Sequence, residues 1–280
     1  MGRNGTGYSS SLVERLIEEI LRREGKRTGS LLIGLSGLQG SGKSTLARQL
    51  VDTAADRDIE AIEMSIDDFY LTRQQRRQLA RTVHPLLATR GVPGTHDLGL
   101  LAGTLAAVRQ AAPEHPARLP EFDKGRDGRL PISRWRSIAT PPRWIILEGW
   151  CVGIPAESSA ALSKPCNALE HRRDADGYWR RWINARLATD YRSLWARFDA
   201  LIALQAPDFD IVRTWREEPE RELRKHNAPG AMSRSELRQF LMFYERLSRQ
   251  ALRAMPGIAD ITIAIDHQRQ VRSVKISGDR

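Results

Sequence analysis

Only two cysteines, Cys151 and Cys166, occur in the 280-residue chain, and they form no C-x-x-C pair. Neither a zinc site nor a disulfide framework is suggested, and two reduced thiols are the plain reading. No apolar run approaches the roughly 20 residues of a membrane span, and the N-terminus lacks an apolar stretch of signal-peptide kind. A membrane partner is therefore not expected, and the expected location is cytoplasmic. Acidic residues are short against basic ones, 34 to 44, for a net charge of +10. That balance fits a nucleic-acid binder, or a solvated surface with a pocket for anionic substrates. The chain has no compact Lys/Arg tail and no basic motif interleaved with aromatics, so nucleic acid is not expected as a partner. Internal repeats and low-complexity tracts are absent too. No pattern specifies an oligomer.

What is there is a hydrophobic fraction of 41%, enough for one sizeable core. Residues 1–9 are polar and Gly-rich and are expected to be disordered. Ser10 and Ser11 offer caps for a helix in which Leu12, Val13, Leu16, Ile17, Ile20 and Leu21 recur at helical spacing. This N-terminal segment, 1–29, is expected to pack on the domain that fills 30–280. Within that domain, short apolar runs at 31–36, 59–66, 144–147, 200–205 and 260–266 read as strands. Helical patterns at 43–55, 73–81, 97–111, 176–198, 209–224 and 233–254 fall between them. The stretches 113–143 and 153–175 have no clear period and read as insertions. Strands alternating with helices predict an α/β fold of three layers, α/β/α, around a mainly parallel sheet of about five strands. Ligands of such folds bind at the carboxyl ends of the strands.

At the end of the first strand, Gly37-Leu38-Gln39-Gly40-Ser41-Gly42-Lys43-Ser44 fits G-x-x-x-x-G-K-[ST] in full. Glycines let backbone N–H groups close around a phosphate, and the helix that follows turns its positive end to the same anion. Lys43 supplies a compact charge for the outer phosphates, the Ser44 hydroxyl can ligate Mg²⁺, and Thr45 extends the site into the helix. With a buried strand before it and a helix after it, the loop reads as a nucleotide site. The motif leaves open what is phosphorylated.

Acidic groups follow the next two strands. Ser65-Ile66-Asp67-Asp68-Phe69-Tyr70 puts two carboxylates beside the loop. A carboxylate there can orient a hydroxyl nucleophile and accept its proton; two turn-capping aspartates are the equal alternative. Glu148, after the apolar run 144–147, has the position of a carboxylate that holds Mg²⁺ through water. Arg213, Arg216, Arg221 and Arg224 crowd one helix, as phosphate-binding groups or as a solvated face paired with Glu217, Glu218, Glu220 and Glu222. Pro219 within it marks a kink or the first turn of a new helix.

Read together, the phosphate loop, Ser65 to Thr72 (SIDDFYLT), Gly91 to Leu98 (GVPGTHDL), Leu119 to Arg129 (LPEFDKGRDGR), Ile146 to Gly153 (ILEGWCVG) and Trp215 to Arg224 (WREEPERELR) resemble the glycerate kinase branch of the phosphoribulokinase, uridine kinase and pantothenate kinase group. The likeness spans about 30–267 and is strongest to plant-type D-glycerate 3-kinases and their bacterial and fungal relatives. The resemblance implies a P-loop kinase using ATP and Mg²⁺ on a small anionic hydroxylated substrate. It implies Asp67 as catalytic base beside Lys43, and Gly37, Gln39, Gly40, Ser41, Gly42, Lys43, Ser44 and Thr45 around ATP. Ser44 and Glu148 would hold the metal. Tyr70, His96, Asp97, Phe122, Asp123 and Lys124 would face the acceptor, with Trp150 as a wall. Arg216 and Arg224 would close over ATP from a lid at about 208–232. Lys124, Arg126 or Arg129 would suit an acceptor carboxylate. Other small hydroxylated acceptors, nucleoside- or pantothenate-like, and a regulatory P-loop ATPase are the alternatives. Lys43→Ala is expected to abolish ATP turnover, a loss of about 10²-fold or more in a coupled assay.

Overall fold

The structure is a computed structural model that describes residues 7–226 and 231–278. Residues 1–6 of the stretch expected to be disordered, and 227–230 of the expected lid, lie outside the described residues. Helix α1 (Ser10–Glu24) is capped by Ser9, whose hydroxyl accepts the N–H of Leu12, rather than by Ser10 or Ser11. Its stripe of Val13, Leu16, Ile17 and Ile20 is buried in the main core. Arg23 ties its last turn to the far edge of the sheet, through Asp260 and the carbonyl of Ser277.

Strand β1 (Leu31–Gly37) is buried along its whole length and leads into α2 (Lys43–Ala55). Strand β2 (Ala61–Ser65) ends in a 3₁₀ turn, Ile66–Phe69. Helix α3 (Arg73–Thr82) carries a capping box of Thr72 and Gln75, and α4 (Leu98–Arg109) is capped by Asp97. The region 113–143 is not structureless. It folds into two small antiparallel pairs, β3 (Ala117–Leu119) with β6 (Arg136–Ile138), and, nested between them, β4 (Phe122–Asp123) with β5 (Gly128–Arg129). These strands have two or three residues each, too short to show a period. Strand β7 (Trp144–Gly149) is again wholly buried.

Helix α5 (Ala168–Arg173) occupies part of the second expected insertion. The helix expected over 176–198 is α6 (Tyr178–Arg186), a π turn at Leu187–Tyr191, and α7 (Arg192–Trp195). Strand β8 (Ala200–Gln205) precedes α8 (Ile211–Lys225), which continues through Pro219 without a break. The ring removes one backbone donor there, at a cost of about 3 kcal/mol. Trp215 and Glu220, buried on either side, hold the helix in place. Helix α9 (Arg234–Ile258), β9 (Ile261–Ile265) and β10 (Val271–Ile276) complete the chain.

The main sheet has six strands rather than about five, in the order β10-β9-β8-β1-β7-β2. Only β10 is antiparallel. It lies at an edge with its side chains largely exposed, so it lacks the apolar run by which the others are legible. Helices flank the sheet in a three-layer α/β/α fold; α2 packs on β1, β2 and β7, and α9 on β8. Among the described residues no helix is long and apolar enough to cross a membrane. The register sets Leu35 of β1 and Ser65 of β2 on either side of Glu148 in β7. Three parallel strands thus deliver their carboxyl ends to one place. Because Leu16 is fully buried between α1 and that core, Leu16→Ala is expected to cost about 2–5 kcal/mol in urea denaturation.

Candidate active site

The phosphate loop makes its turn through Gly40 (φ +79°) and Gly42 (φ +93°), both left-handed. A Cβ on Gly40 would also lie 2.6 Å from the Cβ of Trp215 in α8, so the close approach of that helix and the loop requires glycine. Helices α1, α3, α4 and α9 start with a side-chain cap. Helix α2 has none, and no acidic residue in its first turn. Its leading N–H groups, those of Lys43, Ser44 and Thr45, remain available to an anion in the positive field of the helix end, while that of Leu46 already donates to the carbonyl of Gly42. The buried hydroxyl of Ser41 and the Oε1 of Gln39 have no hydrogen-bond partner.

Two residues distant in sequence hold the outside of this loop. The Tyr8 hydroxyl donates to the carbonyl of Ser41 at 3.0 Å, and Arg269 Nε donates to that of Gly40 at 2.7 Å. Gln49 grips the Tyr8 backbone by both N–H and carbonyl. The Arg269 guanidinium lies over the Trp215 ring. Disorder over 1–9 is thus not what Tyr8 shows, and no local pattern announces its contact with the loop.

Glu148 is buried at the tip of β7. Its Oε1 accepts from Ser44 Oγ at 3.0 Å, and its Oε2 lies 3.8 Å from Lys43 Nζ without a hydrogen bond. Hydroxyl and carboxylate thus stand side by side with one oxygen unspent, oxygen donors of the kind a hard cation such as Mg²⁺ could use. Among the described residues no group of three or more His, Cys, Asp or Glu is placed to hold a metal ion. A cavity of about 340 Å³ opens beside Ser44, lined also by Glu63, Asp68, Glu121, Arg136 and Glu148. Burial, with the nearby Glu148 charge adding to it, raises the Glu63 carboxyl above its usual range.

The two aspartates of the 3₁₀ turn face different surroundings. Asp67 Oδ1 accepts from the Tyr70 hydroxyl and Oδ2 from Lys124 Nζ, both at 2.6 Å. Burial pushes its carboxyl up, but Lys124, Tyr70 and the Lys43 charge outweigh burial and hold the pKa at about 2. Asp68 instead accepts the N–H of Phe122, which fastens the hairpin to the turn. Burial dominates there and raises its pKa to about 6. Asp67 is therefore ionised at neutral pH against the Lys124 ammonium and within the field of Lys43, while Asp68 carries a structural bond.

Around Asp67 the residues expected on the acceptor side assemble with unequal contacts. Tyr70 stacks on His96 at 4.8 Å and meets Phe122 edge-on. His96 Nδ1 lies 2.7 Å from the Tyr191 hydroxyl, which accepts from the N–H of Gly94. The hydroxyl, already an acceptor for Gly94, has its own proton to offer Nδ1, an arrangement that leaves the imidazole proton on Nε2. Nε2 is buried without a partner, and burial lowers the His96 pKa to about 4, so the ring is a neutral donor. Asp97 caps α4 through the N–H of Leu100 and takes Arg129 at 3.3 Å. Asp123 closes the hairpin turn by accepting from the N–H groups of Gly125 and Arg126. Arg126 points to solvent and Arg129 is committed to Asp97 and the carbonyl of Tyr70, which leaves Lys124 as the hairpin cation on Asp67. Trp150 is buried beneath Tyr244 and donates to the carbonyl of Gly91.

Sequence reasoning missed the struts behind this hairpin. Arg76, 2% exposed, and Arg90 both grip Asp127 at 2.6 Å, and Arg90 also donates to the carbonyl of Lys124. Tyr244, legible only as part of an apolar stripe, reaches the carbonyl of Arg90. The charges of Asp67, Arg90 and Arg216 all act on its hydroxyl. In α8, Arg216 pairs with buried Glu220 at 3.2 Å beside Trp215. Arg224 lies about 12 Å further along the helix, bound to Glu217 and the carbonyl of Met232. Arg216 thus belongs to the loop's surroundings, and Arg224 does not reach them here.

No protein-family model matches the chain. It is 32% identical over 246 residues to the uncharacterized kinase mug58 of Schizosaccharomyces pombe, a match over 84% of this chain and 87% of that one. It is 29% identical over 234 residues to the chloroplastic D-glycerate 3-kinase of Arabidopsis thaliana, covering 79% of this chain but only 48% of the plant protein. The chain belongs to the P-loop kinase family that includes the D-glycerate 3-kinases. It is a phosphotransferase with a hydroxyl acceptor. The kinase superposes on D-glycerate 3-kinase from Cryptococcus neoformans with a TM-score of 0.78 at 23% identity, over 96% of this chain and all of that one, which speaks for the shared fold.

In this kinase the raised Asp68 carboxyl favours the folded state below its ordinary value near 3.8, and that favour is lost as pH rises through about 6. Asp68→Asn keeps an acceptor for Phe122 and does not charge. Without nucleotide and metal it is expected to raise stability at pH 8 by about 1–2 kcal/mol and to flatten the slope between pH 4 and 6 in urea denaturation.

Proposed function

We propose that this kinase passes the γ-phosphate of ATP to a hydroxyl of a small hydroxy acid, and that the acid is D-glycerate, giving 3-phosphoglycerate. The observation that carries the reading is the pair Asp67–Lys124: an ionised carboxylate and an ammonium, 2.6 Å apart, between the phosphate loop and the hairpin. A hydroxy acid asks for just those two groups, a proton acceptor for its hydroxyl and a cation for its carboxylate. The name of the Arabidopsis relative favours D-glycerate among such acids.

The residues then divide the work. The loop from Gly37 to Gly42, with Lys43 and Thr45, cradles the phosphates of ATP. Ser44 and, through water, Glu148 would hold Mg²⁺, which when bound neutralises phosphate charge as the terminal group moves. Asp67, kept ionised by its neighbours, accepts the proton of the attacking hydroxyl, and the Tyr70 hydroxyl fixes its Oδ1 so that Oδ2 is the accepting oxygen. His96 offers Nε2–H to an acceptor oxygen. Phe122, resting on Tyr70, and Trp150 beneath Tyr244 build the walls. Asp97 and Asp123 shape that side by capping α4 and closing the hairpin turn. Arg216 stabilises the phosphoryl charge in transfer, and Arg224 joins it once α8 moves and Glu217 lets go. Such closure keeps water from the phosphate.

The test is ATP turnover with and without D-glycerate in a coupled assay. D-Glycerate is expected to stimulate turnover about 100-fold or more, and Asp67→Asn to lower kcat about 10²–10⁴-fold with ATP affinity near wild type. Stimulation by a nucleoside or pantothenate instead would move the acceptor class. Turnover indifferent to every acceptor would favour a regulatory ATPase. A near-normal Asp67→Asn beside an inactive Asp68→Asn would transfer the base to Asp68.

A further inference from the structure

Both oxygens of the Asp67 carboxylate are engaged, Oδ1 by Tyr70 and Oδ2 by Lys124. A carboxylate so engaged is a weak proton acceptor, and its pKa of about 2 expresses that. Tyr70 cannot withdraw. Its ring is buried between His96 and Phe122. Lys124 can. Its side chain is 58% exposed, and Asp67 is the one carboxylate within ion-pair distance of its ammonium among the described residues. Its stem is four methylenes long. Its backbone, by contrast, is anchored. Arg90 donates to its carbonyl, Arg76 and Arg90 brace the hairpin through Asp127, and Asp123 closes the turn next to it. The ammonium can therefore change partner while the loop stays still.

Other charges around Asp67 are fixed or neutral. Lys43 is turned to Glu148, His96 is a neutral donor, and Asp68 is tied to the hairpin backbone. A hydroxyl can share Oδ2 with the ammonium, but Oδ2 takes up its proton readily only once Lys124 has left, and only a group of negative charge gives Lys124 an equivalent partner. We infer that Lys124 is a charge-exchange switch: its ammonium covers Asp67 Oδ2 until the carboxylate of the acceptor takes it over, so that one exchange both selects an anionic acceptor and frees the base for that acceptor's hydroxyl. The inference rests on the reading of Asp67 as the base and a hydroxy acid as the acceptor. No covalent step is added; the ammonium moves from one carboxylate to another and charge balances throughout. A neutral acceptor gains nothing by binding, because it leaves the ion pair intact and Oδ2 covered.

The experiment compares D-glycerate with its neutral amide as acceptors for the wild type, Lys124→Met and Lys124→Arg, read as kcat and KM for each. The wild type is expected to prefer the acid. Lys124→Met should lower kcat/KM for the acid about 10- to 100-fold, mostly through KM, and should raise kcat/KM for the amide, because Oδ2 is then uncovered. A merely structural lysine would lower both together, and that result overturns the inference. Lys124→Arg keeps the charge and should keep the preference for the acid; losing it as fully as Lys124→Met would also overturn the switch. If the wild type shows no preference for the acid over the amide, the substrate reading itself fails and takes the inference with it. If the wild type prefers the acid and Lys124→Met preserves that preference, the inference alone fails.

Discussion

Parallel pairing of β1 with β7, and of β7 with β2, in one register is the constraint on which the site depends. Leu35, Glu148 and Ser65 lie abreast, so the residues that follow them leave the sheet at one height. The phosphate loop leaves after β1 and the Asp67 turn after β2, while Glu148 stands between them on the central strand. A slip of one residue in any of the three would turn a side chain to the opposite face. Complete burial of β1 and β7 makes such a slip costly. The distances from Glu148 to Ser44 and Lys43 follow from strand pairing rather than from loop chemistry.

A second layer of arginines turns that geometry into a shaped acceptor side. Arg76 and Arg90 brace the hairpin through Asp127, and Arg129 links it to Asp97 and Tyr70. Similar struts recur away from the site. Arg180 is buried against Asp174, and Arg246 joins Glu157 to Glu170 between α5 and α9. Part of the basic excess in composition is therefore internal. Planar guanidinium groups with several donors suit this work, since a buried cation is tolerated only when its hydrogen bonds are met.

The phosphate loop, the paired aspartates, Glu148 and the five parallel strands were legible because each rests on a local pattern: a glycine spacing, an acid at a strand end, an apolar run. Strand β10 was not, since an exposed edge strand carries no such run. The small hairpins of 113–143 were hidden by their length, and α8 runs on through a proline that local rules would make a boundary. In the 122–129 hairpin, Lys124 and Phe122 were singled out by motif likeness. Arg76, Arg90 and Tyr244 passed unnoticed, because an arginine on a polar helix and a tyrosine on an apolar stripe look the same whether or not they support a site. Tyr8 and Arg269 gave no signal at all, since their partners lie 33 and 229 residues away.

By itself the sequence determined the class of chemistry, because a phosphate-binding turn needs glycines, a lysine and a serine at fixed spacing along one stretch of chain. It also determined which strand ends carry acid. Tertiary structure alone decided which of two adjacent aspartates meets a lysine and which holds a backbone N–H. Neighbouring residues in a tight turn point in different directions, and only the packing of the 122–129 hairpin against that turn gives each direction its partner. The same holds for Lys124, whose place on Asp67 is set by arginines from two other segments and by nothing in its own neighbourhood.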